Sequence, residues 1–264
     1  MLRSLRFTRL FPTLLLAAFF TTSLLCRAQD QDPTRAPDGN AQVGIPGIVV
    51  LPYPGMPFTG SFTGVRTFKT QDGSTITTSS TVRVARDSQG RIFRERHYYA
   101  PLNTDPQTTL VDFFIFDPTA HTQLNCIVAT KRCVRGFYYR NLDFVEPKPG
   151  AYDHGRRILS RDSLGQKTFG DLTAIGTRET VSIAPGTIGN DQTLTLTRDF
   201  WYSPDLKTNL QVIRTDPRTG NVTLTLTVDS RSEPDPSLFT PPSGYFAPPL
   251  RTSPPPGIGS NASK

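Results

Sequence analysis

The chain is poor in the residues that most often carry chemistry. Its 264 residues hold three cysteines, three histidines, two methionines and one tryptophan. None of the spacings G-x-S-x-G, H-E-x-x-H, G-x-x-x-x-G-K-[ST] or G-x-G-x-x-G occurs, which removes the common serine-hydrolase, zinc-protease, phosphate-loop and dinucleotide routes. His97, His121 and His154 stand apart from one another and from any evident partner, so they read as surface or turn residues and not as a metal set. Asp112, Asp143, Asp153 and Asp199 offer carboxylates for glycoside hydrolysis, but spacing along a chain selects no pair among them. No catalytic residue, cofactor or metal ligand is assigned, and a non-enzymatic protein is the expectation.

Long hydrophobic runs are also missing, except at the start. Arg3, Arg6 and Arg9 precede an apolar stretch from Leu10 to Leu25, the pattern of a secretory signal peptide. The stretch is shorter than the roughly 20 residues of a spanning helix, and no second run follows, so no membrane span is expected after cleavage. Cleavage is expected after Ala28, leaving a mature chain that starts at Gln29. Cys26 as an acylated lipoprotein residue is the alternative, but Leu25 stands where that chemistry wants a small side chain. Residues 1–28 carry four arginines (3, 6, 9 and 27) and no acid, so 29 bases against 22 acids become 25 against 22 and the net charge falls from +7 to +3. Nucleic acid is not an expected partner of so mildly basic an exported protein.

Convincing helical periodicity is the third absence. Prolines and glycines recur through residues 29–57, which read as a linker, and again through residues 248–264, which read as a disordered tail. Between them, residues 58–247 suit one domain. Short runs of Val, Ile, Thr, Phe and Tyr alternate there with turn signals at Asp72-Gly73, Ser88-Gln89-Gly90 and Asp216-Pro217 with Gly220. Val222, Leu224, Leu226 and Val228 alternate with Thr223, Thr225 and Thr227, so one face is buried and the other wet. The expected fold class is mainly β: a single curved antiparallel sheet, a half-barrel or open-barrel meander, with at most one or two short helices. Gly165, Gly170 and Gly176 mark bends or bulges. Tyr152–Leu164 is the one stretch that reads as either a short helix or a loop.

Export leaves two cysteines, in NCIVATKRCVRG. A four-residue turn, Val128 to Lys131, pairs Ile127 with Arg132 and sets Cys126 opposite Cys133, where the Cβ atoms approach closely enough for a disulfide. Six intervening residues fit neither a zinc knuckle nor a C-x-x-C redox pair. Arginines interleave with aromatics in RIFRERHYY (91–99) and VRGFYYRN (134–141), as on edge strands with a wet and a dry face, and GTIGND (186–191) reads as a plain turn.

Trp201 poses a sharper question. Alternation in LTLTRDFWYSPDL places Leu194, Leu196, Arg198 and Phe200 on one side and Thr195, Thr197, Asp199 and Trp201 on the other. Either the strand bulges near Arg198-Asp199 and swings the indole inward, which is the favoured outcome, or the indole covers the outer face. Trp201, with Phe200 and Tyr202, forms the candidate ligand face.

Three stretches, TVRVARDSQGRIFRERHYY, VDFFIFDPTAHTQLN and the run from IAPGTIGND to PSLFTPPSGY, resemble a group of exported β-rich proteins common in acidobacterial-type soil bacteria. That resemblance brings no assigned activity. The order Trp, turn, Lys, strand, Asp-Pro-x-x-Gly hairpin, strand and PSLFTPPSGY also resembles, distantly, the end of the periplasmic lipoprotein-carrier type of domain, a half-closed barrel that shelters acyl chains. The amphipathic helices that plug and lid that half-barrel are missing here. The leading expectation is a concave apolar face that binds a hydrophobic ligand or a cell-envelope partner, and the alternatives are an envelope structural or assembly protein without a ligand and a secreted polysaccharide hydrolase.

Overall fold

The computed structural model describes residues 50–102, 110–138 and 148–249. The signal segment, most of the linker, Asp143 and the tail from Leu250 lie outside the described residues. The strands are β1 (Phe58–Lys69), β2 (Thr75–Arg86), β3 (Ile92–His97), β4 (Ala100–Pro101), β5 (Leu110–Asp117), β6 (Thr122–Ile127), β7 (Arg132–Phe137), β8 (Gly150–Tyr152), β9 (Arg157–Phe169), β10 (Leu172–Ile183), β11 (Leu194–Ser203), β12 (Thr208–Asp216) and β13 (Gly220–Ser230). All 13 join one sheet in the order β7-β6-β5-β3-β2-β1-β13-β12-β11-β10-β9-β8, with β4 beside β2, and every pairing between them is antiparallel. The first and last strands meet in the middle. The two edges, β7 and β8, come from mid-chain and are not paired with each other, so the sheet is open.

The expected fold class is therefore what forms, and the helices among the described residues are two 3-10 turns, Asp153–Gly155 and Pro236–Phe239. Tyr152–Leu164 is neither a helix nor a loop: after the short turn it runs straight into β9. Its Arg157, Leu159 and Arg161 alternate with Ile158, Ser160 and Asp162, a period of two that the strand satisfies and a helix does not. The bends at the expected glycines also form. Gly165 sits at the register shift between β9 and β10, beside Gly176, and Gly170 lies in their hairpin turn. Three further register shifts fall at Thr59/Gly60, Arg96/His97 and Trp201/Tyr202, and shifts of this kind bend a sheet.

We call the face that carries Phe62, Leu224 and Val212 the inner face. Phe58, Phe62, Val84, Ile92, Phe200, Val212, Leu224 and Leu226 belong to the main apolar cluster, and the ladder places them on this side. A smaller cluster, Leu159, Val181, Ile183 and Leu196, occupies the inner face of β9–β11. Contrary to the reading of one dry and one wet face, the outer side of β3–β7 is buried as well. Phe93, Phe113, Ile115, Leu124 and both cysteines pack there beneath Phe239, with Leu238, Tyr245 and Ala247 around them. The chain after β13 returns across this face, which accounts for buried Ala85 opposite Phe93. RIFRERHYY accordingly does not sit on an edge, because β3 is flanked by β2 and β5.

The chain end finishes as a cover for the β7 edge. Cys133 N–H donates to Phe246 O at 2.8 Å, Phe246 N–H to Lys131 O at 2.9 Å, and Arg135 Nε to Pro248 O at 2.9 Å. Buried Arg86 forms a second clamp. It donates to the carbonyls of Leu51 (2.9 Å), Met56 (3.0 Å) and Leu206 (2.7 Å) and lies over the Phe58 ring, so the lead-in to β1 and the β11–β12 turn are fastened to the end of β2. Burial pushes its ionisation down to about 10, which leaves the guanidinium charged at neutral pH.

Candidate functional site on the inner face

The three residues expected to form a ligand face differ in burial. Pairing of β11 with β10 runs without a break from Leu194 to Tyr202, so no bulge forms at Arg198-Asp199. Phe200 belongs to the main cluster and Trp201 packs against it, while Tyr202 is 40% exposed. The indole is nonetheless half-buried, because the neighbouring strands bulge around it. Leu164 is the extra residue on β9 and Leu210 the extra one on β12. Trp201 lies over Gly176, where a Cβ would meet its ring at 2.7 Å. Beside it stand Phe169, with ring centroids 6.3 Å apart, and the Lys167 ammonium, 5.4 Å from the indole centroid. Trp201 is thus a packing residue against the main cluster.

The inner face offers the better candidate. Val82, Phe116, Val222 and Val228 rim the main cluster and stay half-exposed. Phe114 stacks on Phe116 with 5.9 Å between centroids, and Tyr138 leans on Phe116 at 5.1 Å. Gly64 leaves open the space into which the Tyr99 hydroxyl reaches, above Leu224. Burial pushes the Tyr99 phenol up, and nearby Arg66 pulls it back in part.

Charge enters this apolar surface along one level of the ladder. Glu179 is fully buried between Arg161 (Nη2–Oε1 2.6 Å) and Arg198 (Nη2–Oε2 2.9 Å), and Arg214 stands directly opposite Arg198 on β12. These residues separate the smaller cluster from the main one. Nothing in sequence spacing joins Arg161, Glu179, Arg198 and Arg214, although the placing of Arg198 in phase with Leu196 and Phe200 was the available signal.

The other candidates resolve into structural roles. Cys126 and Cys133 are bonded as the hairpin geometry required, their Cα atoms 3.9 Å apart at directly paired positions, with Ile127 and Arg132 closing the turn. Asp112 is held by Arg96 across β3–β5, and Asp199 by Arg178 through two hydrogen bonds of 2.7 and 2.6 Å. Asp153 lies in a 3-10 turn. These carboxylates therefore do not converge on a common groove. His121 and His154 occupy turns, both with positive φ. His97 differs from the surface reading: its side chain is 6% exposed and its Nε2 lies 3.2 Å from Glu95 Oε2. GTIGND is the expected turn, tied by the Asn190 side chain to the carbonyls of Ala184 and Gln192.

No protein-family model matches the chain, and no curated protein matches it. Solved structures similar to it include LprF from Mycobacterium bovis, at 12% identity over 68% of this chain and 90% of that one, with a TM-score of 0.27. A LolA superfamily protein from Nitrosomonas europaea is similar at 11% identity over 71% and 91%, TM-score 0.29. The lipoprotein LppX from Mycobacterium tuberculosis follows at 12% over 67% and 90%, TM-score 0.24. At such scores no residue's role carries over from those proteins. Among the described residues, no helix is long and apolar enough to cross a membrane.

Proposed function

We propose that the chain is an exported, non-enzymatic domain that shelters an apolar ligand on the inner face of its open sheet. One observation carries this reading: Val82, Phe116 and Val222 remain half-exposed around a buried cluster on a sheet whose edges do not meet. Apolar side chains left exposed beside a core are a common feature of binding sites. Export rests on the arginine-led apolar leader of residues 1–28, and the proposed carrier of the ligand is residues 58–247.

Titration of the mature chain with the neutral probe N-phenyl-1-naphthylamine tests the reading. Probe fluorescence rises saturably in the wild type, and Val82→Asp or Phe116→Asp lowers affinity at least tenfold while circular dichroism stays unchanged. A signal that grows linearly with probe, or one indifferent to both substitutions, refutes it.

A further inference from the structure

β7 ends the sheet, and the chain's own end fills part of the side it leaves open. Arg132 and Phe246 form one parallel bridge, with Phe246 N–H donating to Lys131 O at 2.9 Å and Cys133 N–H to Phe246 O at 2.8 Å. The next rung cannot form. In a parallel ladder the Cys133 carbonyl, on the same side of the strand as its amide, takes an N–H from the residue two beyond Phe246. That residue is Pro248, which has no N–H. Its carbonyl instead accepts from Arg135 Nε at 2.9 Å. The strap therefore stops after a single rung, and it hangs from the stretch TPPSG (240–244), in which Gly244 takes a φ of 83°.

Side chains around the strap indicate what else the edge accepts. Tyr245 meets Phe113 edge-on, with centroids 5.5 Å apart, against the outer cluster. Exposed Phe246 lies on the opposite side of the strap, its centroid 5.2 Å from Arg132 Cζ. Lys131, Arg132 and Arg135 line the edge, and among the described residues none of the three is in an ion pair. Counting on from the Arg132–Phe246 bridge, the strap position opposite Arg135 is Pro249, which brings no charge.

We propose that the β7 edge is a strand-addition site for an extended acidic segment of a partner protein, and that residues 245–248 occupy it in the partner's absence. The segment carries an aromatic residue in place of Phe246, a residue with an N–H in place of Pro248 and a carboxylate in place of Pro249. Such a segment keeps the stacking on Arg132, adds the rung that Pro248 forgoes and gives Arg135 a counter-charge. The strap has only its tether in its favour, which holds it beside the edge at high effective concentration. That tether closes the edge to segments lacking these features and guards it against indiscriminate pairing.

Fluorescence polarisation of the labelled peptide SGYFAVEV against the mature chain tests this, with SGYFAPPV and SGYFAVKV as controls. SGYFAVEV binds saturably and at least tenfold more tightly than either control, and Arg135→Gln brings the ratio of the glutamate to the lysine peptide below threefold. Phe246→Pro removes the strap's own donor and tightens SGYFAVEV binding fivefold or more; truncation after Gly244 serves if the proline disturbs the fold. Amide hydrogen exchange of the wild-type chain locates the peptide, since on binding the Phe246 amide loses protection while the Cys133 amide keeps it. Absence of saturable binding to the strap-released chain overturns the proposal, and equal affinity for the glutamate and lysine peptides overturns the acidic partner. Binding that leaves the Phe246 amide protected puts the peptide away from β7 and overturns the site.

Discussion

Replacing Arg86 by methionine should cost more stability than any single change on the outer face. The side chain is fully buried, and its three donors end on carbonyls of Leu51, Met56 and Leu206. A hydrogen bond with a charged partner is worth about 1.5–3 kcal/mol net, so three of them place the gross loss at roughly 4.5 kcal/mol or more. Removing a charge that is 0% exposed recovers part of that through relieved desolvation. Methionine fills much of the volume but satisfies none of the carbonyls, and the net expectation is a loss of about 3–4 kcal/mol. With a urea slope of about 2 kcal/mol/M, the midpoint falls by roughly 1.5–2 M. Arg86→Lys keeps the charge yet concentrates its donors at one nitrogen, which cannot serve three separate segments, so it restores less than half of the loss. Equilibrium unfolding in urea, followed by far-ultraviolet circular dichroism, reads all three proteins. A shift in Arg86→Met below about 0.5 M would show that the clamp contributes little and that the lead-in to β1 is held by other contacts.

Other outcomes are equally open to measurement. Intact mass before and after reduction and alkylation should show a mature chain that begins near Gln29 with no free thiol until reduced, and Cys126→Ser with Cys133→Ser should cost about 2–3 kcal/mol; two alkylatable thiols in oxidised material contradict this. Truncation after Pro249 should leave stability within about 0.5 kcal/mol, whereas removing Leu238 and Phe239 uncovers the outer cluster over the disulfide and should lower the melting temperature by more than 10 °C; equal melting temperatures argue against the anchor. Gly176→Val drives a side chain into the indole of Trp201 and the Cβ of Leu164, for a cost of about 1–3 kcal/mol and a red-shifted tryptophan emission; an unchanged spectrum places the indole elsewhere. For Asp216, burial works to raise the carboxyl, but hydrogen bonds from Arg218 outweigh it and hold it below its usual range. Its stabilising contribution is therefore present above about pH 4 and lost as pH falls through the lower folded value, so Asp216→Asn should flatten the urea midpoint between pH 5 and pH 2, and parallel curves would refute the assignment.

Much of the architecture was readable because β-sheet periodicity is local. Leucine-threonine alternation in β13, the turns at Gly73, Gly90 and Gly220, and the register that sets Cys126 against Cys133 each follow from fewer than 15 neighbouring residues. What escaped reading depends on contacts between distant segments. Nothing around Ala85 or Phe93 announces that Leu238 and Phe239 will return to cover them. Alternation put Trp201 on the threonine side, yet it packs against the main cluster, and the bulges beside it belong to β9 and β12. Tyr152–Leu164 misled because RRILSRDSL is too polar for a convincing strand; β8 pairs with Arg157–Leu159 alone, and the polarity falls where β9 continues past that short partner. The charged row of Arg161, Glu179, Arg198 and Arg214 is legible only once β9, β10, β11 and β12 are laid side by side.

The strand order has a consequence for how the molecule can be made and divided. Apart from β4, which pairs with β2, the strands β1 to β7 and the strands β8 to β13 each form a meander in which neighbours in sequence are neighbours in space, and the two join along the β1–β13 seam. As the chain emerges from its N-terminus, β1 pairs early with β2 but keeps its other flank open until residues 220–230 arrive, the longest wait of any strand. That late zip is the slow, contact-order-limited event in assembly, and the interval before it is when aggregation competes. The same layout makes a cut between Phe137 and Gly150 a natural split point: each fragment retains its own hairpins, and mixing the two restores the seam without threading either chain through the other.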